Sequence, residues 1–128
     1  MTCFWDGILQ ALDNSDFQTI GIHSKPSNSE LVNILKQHNK KTTGMRWNNQ
    51  YLTNQQINEN FESIQNYNQN TMFGGYFCST FDPFLFLVAE LFKCKIQHNY
   101  INNIMMYEPP VYNKVLHFQS DRGHFWKV

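Results

Sequence analysis

A chain of 128 residues is about one domain's worth, and ten basic against ten acidic residues leave a formal net charge of zero, so nucleic acid and anionic membranes find no electrostatic footprint on it. Three scattered cysteines with no signal peptide before them point to free thiols in a reducing compartment, which places the protein in the cytoplasm. The longest apolar run, Phe84 to Ala89, is far shorter than the roughly 20 residues that span a bilayer, so no membrane partner is expected.

From Cys3 onward, Phe4, Ile8, Leu9 and Leu12 recur at helical spacing, and Asp13-Asn14-Ser15-Asp16 reads as a polar stop. Ser27 and Glu30 form a capping box ahead of a second helix whose face is Leu31, Ile34, Leu35 and His38. The stretch Asn39 to Gln50 is polar apart from Met45 and Trp47 and reads as a loop. Thr53 with Gln56 opens a third helix, stapled by Leu52 and Ile57 and striped by Ile57, Phe61 and Ile64. After Gly74-Gly75, Asp82-Pro83 reads as an N-cap with proline at the first helical position, leading into a helix that is apolar nearly all round from Phe84 to Phe92. Four strands follow: Ile96 to Tyr100, Ile104 to Tyr107, Val115 to Gln119 and His124 to Val128, the last pair joined by Ser120-Asp121-Arg122-Gly123 with Gly123 at positive φ. Helices first and strands last predict one α+β domain over residues 1–128, with N-terminal helices packed on one face of a small C-terminal antiparallel sheet.

Two residues carry chemistry in this layout. Cys3 stands where an apolar helix begins, and a helix N-terminus favours a thiolate through its unpaired N–H groups and partial positive charge. His124 stands on the terminal hairpin, and a Cys and a His far apart in sequence are the usual form of a nucleophile and its base. His117 is the runner-up base, whereas His98 reads as a packed, hydrogen-bonded side chain, and His23 and His38 as surface or helix-face residues. Cys94 and His98 lie four apart without two further ligands nearby, so no metal site is expected, and Cys78 reads as buried. No cofactor is expected either.

The Cys3 helix start, the segment Phe81 to Phe92 followed by Lys95 to Tyr100, and the closing Val115-Leu116-His117-Phe118-Gln119 with Gly123-His124-Phe125 together resemble the ovarian-tumour (OTU) class of cysteine proteases, within the papain-like superfamily. The opening Thr2-Cys3-Phe4-Trp5 to Leu12 is also similar to the start of viral papain-like proteases. Abundant asparagine and a mean hydropathy of −0.51 beside 16% aromatic residues fit an AT-rich coding sequence, as in a virus.

The resemblance implies a thiol protease or deubiquitinase with Cys3 as nucleophile and His124 as base. Its implied partner is ubiquitin or a ubiquitin-like protein, or else a viral polyprotein. Trp47, Phe125 and Trp126 are the implied walls of a channel for a Gly-Gly tail. Trp126 holds the position, two beyond the histidine, where the family commonly has its orienting Asp or Asn, so either a Cys-His dyad works alone or the role falls to Asp121 or one of the many asparagines, among which the sequence selects none. Met1 and Thr2 stand where the family has an Asp-Gly-Asn run. A catalytically inactive OTU-like module that binds ubiquitin or a viral partner is the alternative.

Overall fold

The computed structural model describes residues 2–72 and 78–128, with Cys78 and Ser79 described by backbone only. The Gly74-Gly75 segment and the burial expected of Cys78 lie outside the described residues. Among the described residues five α-helices, α1 (Cys3–Ala11), α2 (Asn14–Gln18), α3 (Asn28–Gln37), α4 (Asn54–Gln65) and α5 (Cys78–Phe92), and one 3-10 turn (Gln69–Thr71) combine with six strands. The strands are β1 (Arg46–Trp47), β2 (Gln50–Tyr51), β3 (Cys94–Tyr100), β4 (Asn103–Glu108), β5 (Lys114–Ser120) and β6 (Phe125–Lys127), so the class is α+β. No described helix is long and apolar enough to cross a membrane.

Caps set the helix starts. Ser27 with Glu30 and Thr53 with Gln56 form the reciprocal bonds expected from sequence, and Leu52 and Ile57 are both buried as a staple requires. Asp13 and Asp16 form a third such box. The acidic stretch after α1 is therefore the start of a short helix as well as a stop.

α5 begins five residues before Pro83, which falls inside the helix where an N1 position was expected. Proline there removes one backbone donor from the second turn. Burial accounts for its being tolerated: Phe81, Phe84 and the whole run Leu85 to Ala89 are sequestered, and tertiary packing outweighs one missing bond.

The sheet order is β2-β1-β4-β3-β5-β6, and β3 runs parallel to β5. The expected all-antiparallel sheet is thus corrected to a mixed one. After β4, residues 109–113 pass the starting end of β3, where Asn113 N–H donates to Lys93 O at 3.0 Å. Five extended residues reach ~17 Å, ample for the ~10 Å across one intervening strand. The β1–β2 hairpin occupies what reads from sequence as loop, its turn made by Asn48 and Asn49, both at positive φ.

Along β3, β5 and β6 alternate residues are buried: Cys94, Ile96 and His98, then Leu116, Phe118 and Ser120, then Phe125. The helices cover this face. Lys95, Gln97, Val115, His117 and Trp126 lie on the other.

Candidate functional site

α1 brings its first turn to the start of β6. Phe4 and Trp5, both buried, anchor it, with Phe4 stacked on Phe81 at 4.4 Å and tilted on Phe125 at 4.8 Å between ring centroids. At the N-cap, the Thr2 side chain caps no backbone N–H of the helix; its hydroxyl donates instead to the Asp6 side chain, at Oδ2, at 2.9 Å. Asp6 Oδ1 accepts from Asn28 Nδ2 at 2.8 Å, which ties the starts of α1 and α3 together. The helix end beside Cys3 is thereby left uncovered by its own cap residue.

Cys3 is half-buried, and its Sγ lies 4.0 Å from Gly123 O, a carbonyl 120 residues away in sequence. That carbonyl belongs to the peptide group joining Gly123 to His124, so the sulfur rests against the link that begins the candidate base. His124 itself is exposed. The Cys3 sulfur is thus brought to the backbone link that precedes His124, at one edge of the fold.

The hairpin tip is fixed by Asp121. Its N–H donates to His124 O at 2.9 Å, and its Oδ1 accepts from the N–H groups of Gly123 at 3.0 Å and His124 at 2.9 Å. Those two backbone donors, with the nearby charge of His124, hold the Asp121 carboxyl below the usual carboxylate range. Asp121 thus grips the backbone of His124, and its hydrogen bonds do not go to the imidazole. Gly123 is not at positive φ, contrary to expectation, and a Cβ there would meet nothing within 4 Å. The Asp121 side chain supplies the turn that glycine was expected to make.

No protein-family model, curated protein or solved structure gives a match to this chain.

The three aromatic residues expected to line one channel are dispersed. Phe125 is 2% exposed and locked in the core, stacked on Phe118 at 4.8 Å. Trp47 packs edge-on against Phe86 at 6.1 Å and lines a groove of about 280 Å³ with Gln56, Glu59 and Asp82. Trp126 is 42% exposed, opposite Gln119 on the face that carries no helix. β1 and β6 are also four strand spacings apart, ~19 Å. A shared channel is therefore ruled out by sheet geometry; of the three, Trp126 alone is both solvent-facing and near His124 in the chain.

His117 pairs in register with Gln97 on the outer face, away from α1, which removes it as an alternative base. His98 is fully buried, its Nε2 is 2.5 Å from Ser120 Oγ, and its ring lies edge-on to Phe125 at 5.4 Å. Burial pushes its pKa down to about 4, so it is neutral and structural. Cys94 is buried, its Sγ 3.9 Å from Val88 O, and burial pushes its thiol up to about 12. No cluster of three metal-ligating side chains occurs among the described residues.

Gly7 was missed by sequence reading. A Cβ on it would stand 3.0 Å from both Cδ1 and Cε1 of Phe125. The available signal was a glycine four residues after the candidate nucleophile, on its own helix face.

Proposed function

We propose that the chain is a papain-like, OTU-like cysteine hydrolase that cleaves peptide or isopeptide bonds after a ubiquitin-like tail or within a viral polyprotein. The single observation supporting this reading is the 4.0 Å approach of Cys3 Sγ to the peptide that begins His124. In this scheme His124 withdraws the Cys3 proton and the thiolate attacks the substrate carbonyl. The oxyanion is held by the Cys3 backbone N–H with a second donor, and water resolves the acyl-enzyme. Asp121 acts by holding the hairpin that carries the base. Trp126 is the solvent-facing aromatic available to a substrate chain. Cys3 and Cys94, neither in a disulfide, suit a reducing compartment such as the cytoplasm.

The test is a ubiquitin whose C-terminus carries a thiol-reactive electrophile. The expected result is a covalent adduct at Cys3, abolished by Cys3→Ala and slowed at least ~100-fold by His124→Ala. Absence of an adduct, or an adduct rate indifferent to His124→Ala, would sink the hydrolase. Ubiquitin binding without an adduct would assign the chain to the inactive binding module.

A further inference from the structure

We infer that Gly7 is a positioning residue which sets the separation between Cys3 and the hairpin tip carrying His124; this rests on the reading of those two residues as nucleophile and base. Cys3 and Gly7 are four apart on one face of α1. The first meets Gly123 and the second meets Phe125, two residues further along the strand, with Lys127 N 3.7 Å from the position of the missing Cβ. Four helical residues advance ~6 Å and two strand residues ~6.7 Å. The two contacts therefore stay in step, and whatever moves the second moves the first.

The seat has little give. Phe125 is enclosed by Phe4 at 4.8 Å, Phe118 at 4.8 Å and His98 at 5.4 Å between centroids. Packed against these three rings, Phe125 resists displacement, so a methyl group on residue 7 lifts the helix instead. Restoring an ordinary carbon contact from 3.0 Å takes a shift of a few tenths of an ångström. With a misplacement of about 1 Å worth up to about 100-fold in rate, this smaller shift between a nucleophile and its base costs about fivefold.

The experiment compares wild type, Gly7→Ala, Phe125→Leu and the pair Gly7→Ala with Phe125→Leu. Each is read by nuclear Overhauser contacts from the Cys3 β-protons to Gly123 and His124, and by the rate of labelling with the ubiquitin electrophile. Gly7→Ala is expected to weaken the contacts and slow labelling about fivefold. In the Phe125→Leu background the same change is expected to cost less than twofold. Contacts and labelling within twofold of wild type in Gly7→Ala would overturn the inference. So would a loss of about fivefold that persists beside Phe125→Leu, and that second comparison still reads if Gly7→Ala alone does not fold. If wild type shows the contacts and Gly7→Ala loses them while no form is labelled, the positioning role stands and the hydrolase reading fails.

Discussion

His98 is the most consequential buried titratable group outside the proposed site, and its protonation offers a quantitative test of the core. The ring is fully buried, its Nε2 lies against Ser120 Oγ, and desolvation lowers its pKa from 6.5 to about 4. Above pH 6.5 the ring is neutral in both folded and unfolded chains and contributes no pH dependence. As pH falls below that value the unfolded chain takes up the proton first, so stability declines until the folded form also protonates near pH 4. With about 1.36 kcal/mol per tenfold change in proton concentration, the loss across this window is about 3 kcal/mol. That is a large share of the roughly 5–15 kcal/mol typical of a domain. Urea unfolding followed from about pH 7.5 to about pH 4.5 reads it, the full loss corresponding to a fall in midpoint of about 1–3 M. The variant His98→Gln keeps a hydrogen-bonding group beside Ser120 but has no such titration, and its midpoint is expected to stay nearly level over the window. The carboxyls held low, Asp13 at about 2 with Glu30 and Asp121, lose their favourable bonds only in more acid solution. Equal pH slopes for wild type and His98→Gln would refute the reasoning.

Three further outcomes follow from particular residues. Ile101 sits at φ 46 in the β3–β4 turn and is 46% exposed; Ile101→Asn removes a β-branched residue from the left-handed region and is expected to stabilise by about 1 kcal/mol, read as a raised urea midpoint. Asp121→Ala removes the acceptor for the Gly123 and His124 N–H groups and is expected to slow Cys3 labelling by the ubiquitin electrophile, whereas Asp121→Asn, which keeps an acceptor oxygen, restores most of the rate. Mass mapping after brief iodoacetamide treatment of the folded protein is expected to find Cys3 modified and Cys94 intact, because Cys94 is buried and its thiol stays protonated.

What the sequence disclosed follows the range of the physics involved. Capping boxes at Ser27 and Thr53 depend on residues three apart, so they are readable locally and hold. His98 reads from sequence as a packed, hydrogen-bonded side chain, and it is buried against Ser120. Strand pairing is not local. Nothing in Pro109 to Asn113 says whether the chain turns back beside β4 or crosses β3, and that choice makes the sheet mixed. Pro83 misled because a strong local signal for a helix start was overridden by the burial of the run around it. At the candidate site, Cys3 and His124 were legible as residue types. The roles of Gly7 and Asp121 were not, since each depends on a neighbour that only the folded chain supplies: a ring 118 positions away for one, and the hairpin backbone for the other.

The central claim is that the sulfur resting 4.0 Å from the Gly123 carbonyl is activated by the imidazole of the next residue. Second-order rates of Cys3 alkylation by iodoacetamide near pH 7, measured for wild type and His124→Ala by site-resolved mass spectrometry, test it without assuming a substrate. The account expects the wild-type rate to exceed that of His124→Ala by tenfold or more, with Cys94 unmodified in both. Equal rates at Cys3 would contradict it.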